Sequence, residues 1–181
     1  MDIAQNSVTA NANLITITVC ESDKNDSLSI CIEDNGKGMS KEQVENVIDP
    51  FFTTRTTRKV GLGIPLFKMA AEQTGGSFSI DSQVGVGTKL RASFIKSSVD
   101  MTPLGDINST VRILIQCNPN LDFVFTHKTD LGEFTLDTRE LREVLGDDVP
   151  LDTPDVLGWI DGFLEEQKSI IYGGAKDEIF S

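Results

Sequence analysis

An apolar strand that runs straight into a carboxylate and a glycine-rich turn is the feature that most restricts this chain. Leu28–Glu33 places Leu28, Ile30 and Ile32 on one side and then meets Asp34-Asn35-Gly36-Lys37-Gly38-Met39. Alternation of period two predicts a half-buried strand, and the Asn-Gly and Gly-x-Gly steps end it. A carboxylate is thereby delivered to the end of a buried strand, where it can accept hydrogen bonds. Leu14–Cys20, with Ile15, Ile17 and Val19 on one face, reads as the partner strand across the polar turn Glu21–Ser27.

The remaining elements follow from spacing and punctuation. Asp2–Ala12 has helical spacing. Ser40 with Gln43 three residues on predicts a capping box opening a helix over Lys41–Ile48, which Asp49-Pro50 ends. Phe51–Val60 has no period and reads as a loop carrying Arg55, Arg58 and Lys59. Gly61-Leu62-Gly63-Ile64-Pro65 leads into a helix over Leu66–Gln73, stopped at Gly75-Gly76. Ser77–Ser82 and Thr88–Phe94 are expected as strands around Gly85-Val86-Gly87. A boundary is expected near 97–103, dividing residues 1–96 from a small α+β extension over 104–181. The extension reads as a helix (Leu104–Gln116), a hairpin (Leu121–His127 and Glu133–Leu136), a helix N-capped by Thr138, and a last helix opening at Asp152-Thr153-Pro154.

Charge narrows the partners. Residues 1–99 carry 10 Lys+Arg against 11 Asp+Glu; residues 100–181 carry 6 against 17, which accounts for nearly all of the net charge of -12. An acidic second half disfavours nucleic acid and anionic membranes. No apolar run reaches the ~18 residues that span a bilayer, and the first residues lack a secretory signal. Three scattered cysteines make no disulfide framework and no zinc pair, so a reducing cytoplasm is the expected location. They are expected as small buried hydrophobes, and His127 as a sheet-edge residue.

Several labels fail. There is no GxxxxGK[ST] loop, and neither glycine pair has the third glycine of a dinucleotide fingerprint. Asp23-Lys24-Asn25-Asp26-Ser27 starts like a calcium loop, but Leu28 stands where glycine is required. Taken singly, Asn6 reads equally as a solvated helix residue, Asp34-Asn35-Gly36 as a plain turn, and Thr88 as the start of a strand.

In order, however, Asn6 on a helix, Asp34-x-Gly36-x-Gly38, Asp49-Pro50-Phe51-Phe52, Gly61-x-Gly63 and Gly85-x-Gly87-Thr88 form one pattern. It resembles the ATP-binding domain shared by gyrase, Hsp90, histidine kinases and MutL (the GHKL, or Bergerat, fold) over about residues 1–96. The resemblance implies an α/β (α+β) two-layer sandwich, a mixed β-sheet backed by helices. It also implies ATP and Mg²⁺ as ligands. Asp34 would accept from the adenine amino group, with Gly36 and Gly38 allowing close approach. Asn6 would hold the magnesium. Gly61, Leu62 and Gly63 would present helix N–H groups to the phosphates, Arg55, Arg58 and Lys59 would meet the γ-phosphate, and Thr88 would close the adenine pocket. Asp2, one helical turn before Asn6, stands where hydrolysing members have Glu as general base, and Lys59 replaces a common third glycine.

The function so implied is a histidine kinase-like ATPase module that transfers the γ-phosphate to a partner protein or hydrolyses ATP in signalling. The alternatives are a non-catalytic nucleotide sensor and a catalytic fragment of a longer histidine kinase, the latter because the chain starts at the metal-ligand helix. A protein partner and a homodimer are the expected assemblies. No phospho-acceptor histidine precedes the motifs.

Overall fold

The computed structural model describes residues 1–51 and 62–174. In chain order these form α1 (Asp2–Thr9), β1 (Leu14–Ser22), β2 (Ser27–Asp34), α2 (Lys41–Ile48), α3 (Gly63–Gln73), β3 (Ser77–Gln83), β4 (Gly87–Ile95), α4 (Ile107–Cys117), β5 (Asp122–Thr129), β6 (Gly132–Asp137), α5 (Thr138–Leu145) and α6 (Pro154–Ile171). The strands make one six-stranded sheet in the order β3-β4-β2-β1-β5-β6. All pairings are antiparallel except β1 with β5. This is the mixed sheet backed by helices that the sequence predicts.

Register explains the two layers. Ile15, Ile17 and Val19 of β1 stand opposite Asp34, Ile32 and Ile30 of β2, which stand opposite Thr88, Leu90 and Ala92 of β4. On the other side they face Phe123, Phe125 and His127 of β5. Opposed residues share a face, so one face is apolar from β3 to β6. The reverse face carries Thr16, Thr18, Lys89, Arg91, Thr126 and Glu133, so only one side has to be covered. α3 packs on the apolar face through Phe67 against Phe94 (ring centroids 5.6 Å apart), and α6 through Phe163 against Phe134 (6.2 Å). Val111, Leu114 and Ile115 of α4 and Ile160 and Leu164 of α6 complete the core.

The sheet runs on across residues 97–103. β5 pairs with β1 along Leu14–Cys20 and occupies what would otherwise be an open edge. Among the described residues no helix is long and apolar enough to cross a membrane.

Local signals hold closely at α2: Ser40 Oγ accepts from Gln43 N, and Gln43 Oε1 accepts from Ser40 N. Three expectations are corrected. The cap of α5 is Asp137, which accepts from Arg139 N; the hydroxyl of Thr138 is buried and committed to Asp122 Oδ1 and Phe123 N. His127 is not at an edge: β5 lies between β1 and β6, and the ring is only 2% exposed. The cysteines are not buried. Cys20 and Cys31 are half-buried on the polar face and Cys117 is exposed.

At the end of the sheet away from Asp34, polar groups gather on the apolar face. His127 Nε2 bonds Glu21 Oε1 at 2.9 Å, and Tyr172, just past α6, donates to the same oxygen at 2.5 Å. Lys96 lies 3.6 Å from the other oxygen. The bond from His127, reinforced by Tyr172 and opposed by burial, holds the Glu21 carboxyl down at about 2 against an ordinary 4.5. A depressed carboxyl contributes stability that is complete above its unfolded pKa and disappears as pH falls toward its folded one. Urea unfolding from pH 7 down toward pH ~2 is expected to show a steeper loss of stability in the parent than in Glu21→Gln, and equal slopes would contradict this assignment.

Candidate functional site

The opposite end of the same face holds a cavity of about 250 Å³ between α1, α2, α3 and the ends of β2, β3 and β4. Ile32, Ile64, Ile80 and Leu90 make it apolar; Asn6, Ser7, Asp34, Lys37 and Thr88 supply its polar groups. Strand alternation puts Asp34 and Thr88 there. Each continues the apolar row of its strand, and they are paired across β2 and β4.

Asp34 is held from two sides. Its Oδ1 accepts from Gly36 N at 2.9 Å, and its Oδ2 accepts from the buried Ser7 hydroxyl at 2.5 Å. Each carboxylate oxygen can accept more than one bond, so capacity for a ligand donor remains. The next residue fixes the turn: Asn35 Oδ1 accepts from Asn13 N and Leu14 N, tying the end of β2 to the start of β1.

The glycines are dictated by contact. Gly38 has φ +67°, and a Cβ there would sit 1.9 Å from the Gln83 carbonyl oxygen. Gly87, at φ +141°, would place one 2.0 Å from the Asp34 carbonyl oxygen. Two turns are thus pressed together, and Gly85 N donates to Lys37 O at 2.8 Å across the contact. Thr88 is oriented by Ser82, whose hydroxyl lies 2.8 Å away and also accepts from Met39 N.

α1 and α3 bring the remaining residues together. Asn6 lines the cavity, and no hydrogen bond from a described residue engages its side-chain amide. Asp2, one turn earlier, lies against the start of α3; a Cβ on Gly63 would come within 3.1 Å of Asp2 Cβ. α3 begins after Leu62 with no side-chain cap and no acidic residue in its first turn; Pro65 has no N–H, so Gly63 and Ile64 carry its leading donors. Arg55, Arg58, Lys59 and Gly61, with Phe52, lie outside the described residues. Phe51 is exposed.

This constellation ends a strand in a hydrogen-bonded carboxylate, opposes it with a polar helix face, and adds an uncapped helix start. Residues 1–98 match the family of histidine kinase-, DNA gyrase B-, and HSP90-like ATPases. The chain belongs to this family. It is 30% identical over 88 residues to the sensor histidine kinase ZraS of Escherichia coli K12, a match covering 49% of this chain and 19% of that protein. It is 39% identical over 79 residues to the sensor protein SrrB of Staphylococcus aureus NCTC 8325, covering 41% and 13%. The sensor kinase CckA of Brucella abortus is 39% identical over 61 residues, covering 33% and 6%. The chain therefore spans a fifth or less of each of these relatives. A crystal structure of the N-terminal domain of a DNA repair protein shares the fold at a TM-score of 0.50 and 16% identity, covering 81% of this chain and 55% of that one.

Sequence reasoning missed Ser7, although its signal was present: Ala4, Ser7 and Val8 fall on the inward side of one helix. It also missed the cavity walls Ile32 and Leu90, which share the face of Asp34 and Thr88. The turn predicts a graded response to substitution. Gly85→Ala meets open space, so only its φ of +80° is strained; the cost is about 1 kcal/mol. Gly87→Ala adds a backbone clash and is expected to cost about 3 kcal/mol or more. Urea midpoints at unchanged slope would check the order, and equal losses would contradict it.

Proposed function

We propose that this histidine kinase-like ATPase module binds ATP with Mg²⁺ in the Asp34 cavity and passes the γ-phosphate to a partner protein. One observation carries the reading: an oriented carboxylate faces an apolar slot whose other end meets the uncapped start of α3. A purine fits between the aliphatic walls, and its exocyclic amino group is a donor for Asp34. A guanine would turn a carbonyl oxygen toward the same carboxylate, so adenine is selected.

The donor set also suits magnesium. Among the described residues no group of three metal-binding side chains occurs, and Asn6 offers one neutral oxygen. Mg²⁺ keeps most of its waters and takes the remainder of its ligands from phosphate, so one protein ligand is sufficient. When bound, the ion offsets charge on the phosphates. The leading N–H groups of α3 at Leu62 and Gly63 and, in this reading, Gly61, Arg55, Arg58 and Lys59 hold the phosphate oxygens. Thr88 supports the base, through its hydroxyl or a water. Asp2 orients the attacking hydroxyl or imidazole beside the phosphate end of the cavity.

The position of the histidine supports an acceptor other than His127. The only one in the chain, His127, is buried at the far end of the sheet. It lies at the end of the sheet away from the Asp34 cavity, so this reading gives the acceptor role to a histidine or hydroxyl on a partner protein. The three free cysteines suit a reducing cytoplasm. One substitution favours the second reading, a nucleotide sensor without turnover: Asp2 is a methylene shorter than the family's Glu, and a displacement of about 1 Å can cost roughly a hundredfold in rate.

Calorimetry and labelled ATP test both. Asp34→Asn removes a charged acceptor worth about 1.5–3 kcal/mol, so affinity for ATP·Mg²⁺ is expected to fall roughly tenfold to a hundredfold. Asp2→Ala is expected to bind as the parent does and to lose γ-phosphate release and transfer. Unchanged binding by Asp34→Asn would overturn the reading. Tight binding without turnover in the parent would leave the sensor.

A further inference from the structure

A second groove is larger than the Asp34 cavity. It has a volume of about 420 Å³ and lies between α5 and α6 over the edge strand β6, beyond the residues that match the family. Its floor is Leu136; Leu141 and Val144 form one wall, and Trp159 and Phe163 the other. The rings of Trp159 and Phe163 stack with centroids 5.2 Å apart at 12°. Trp159 is nevertheless 52% exposed and Val144 85%. A stacked aromatic pair beside bare valine is an apolar surface left in water, the composition found at the anchor point of a protein interface.

Charge says what fits there. The cations of α5 are already committed. Arg139 forms a two-pronged pair with Asp137 at 3.0 and 2.8 Å, and Arg142 is bound to Asp122 Oδ1 and the Pro119 carbonyl oxygen. Among the described residues no ion pair reaches Glu140 or Asp155 on the rim. The groove is therefore apolar in the middle and bears two carboxylates at its margin that no ion pair among the described residues engages, within a half of the chain that carries 17 Asp+Glu against 6 Lys+Arg. Two copies meeting through this face would bring like charges together. A nucleic acid would be repelled as well.

The glycines of α6 point the same way. Gly158 and Gly162 are one turn apart in the helix interior, flanking Trp159, and a Cβ on either would meet nothing within 4 Å. Each costs the helix about 1 kcal/mol relative to alanine, and no contact inside the described chain requires it. A bare backbone beside an exposed tryptophan allows a docked element to come close.

We propose that the groove between α5 and α6 binds an amphipathic helical segment of a partner protein, with apolar side chains against Trp159, Phe163, Leu141 and Val144 and lysine or arginine against Glu140 and Asp155. The wall geometry, two helices over a strand, is that of helix-in-groove recognition. The inference is independent of the nucleotide reading, and its test needs no ATP.

The whole chain contains a single tryptophan, so Trp159 reports on the groove alone. The probes are three synthetic peptides of about 16 residues: leucine and phenylalanine at helical spacing with lysine elsewhere, the same with glutamate in place of lysine, and a scrambled lysine version. The lysine helix is expected to shift Trp159 emission to the blue saturably, more weakly at high salt. The other two are expected to bind at least about tenfold less tightly. Val144→Glu, at an exposed position where it does not threaten the fold, is expected to abolish the shift. Glu140→Lys with Asp155→Lys is expected to reverse the preference toward the glutamate peptide. Equal binding of the lysine and glutamate helices, an unaltered preference after charge reversal, or no shift with any peptide would overturn the proposal. So would a dimer in solution that Val144→Glu dissociates, because the occupant would then be a second copy.

Discussion

The carboxylate of Asp34 sets the terms for everything around it. It closes an apolar strand row, so it leaves bulk water on the side where Ile32 and Leu90 stand. A charge in that position is tolerated only where donors reach it. Two do: the hydroxyl of Ser7 from α1 and the backbone of Gly36 from its own turn. The turn must be tight to bring Gly36 N within range, which forces close packing of the segments around it. Gly38 then lies against Gln83, and Gly87 against Asp34 itself, at distances no Cβ permits. The spaced glycines at 36, 38 and 87 are thus consequences of one half-buried acceptor, and α1 is drawn to the sheet by the same group. Once these bonds are formed, Asn6 and Asp2 are placed without further provision, one and five residues before Ser7 on the same helix.

What could be read in the residues, and what could not, follows the range of the forces involved. β1 and β2 were legible because alternation is local, and the α2 capping box because both partners lie within three residues. The parallel pairing of β5 with β1 has no local signature. It depends on a segment about a hundred residues downstream and is dictated by an edge in need of cover. The misplacement of His127 at a sheet edge has the same origin, although its alternation with Phe123 and Phe125 already put it on the inward face. The α5 cap was ambiguous for a different reason. Asp137 and Thr138 are both good caps, and only the tertiary bonds of Thr138 to Asp122 and Phe123 remove it from competition. At the site, Asp34, Asn6 and Thr88 were recognisable as members of an ordered motif. Ser7 was not, because a serine inside a helix carries no chemistry until its acceptor is known.

The sheet is organised by polar groups at its two ends with an apolar band between. One end holds Asp34, Thr88 and Ser82; the other holds Glu21, His127 and Tyr172. Each cluster reaches to a helix: Ser7 on α1 at the first, Tyr172 at the close of α6 at the second. The second cluster therefore does for the later half of the chain what the first does for α1. It fixes where α6 ends on the sheet, and with it the orientation of the helix that carries Trp159.

Charge segregation along the chain becomes segregation across the sheet. A polyanionic nucleotide at the end of β2 would be repelled by acidic residues nearby, yet residues 100–181 are strongly acidic. The strand order resolves the conflict. β6 is separated from β2 by β1 and β5, three strand spacings or about 14 Å. Charges farther apart than about 8 Å are largely screened at physiological salt. The acidic rim of β6, α5 and α6 can therefore attract a basic partner while adding little repulsion at the Asp34 cavity. The two proposed sites would need opposite fields, and a sheet this wide holds them apart on one face.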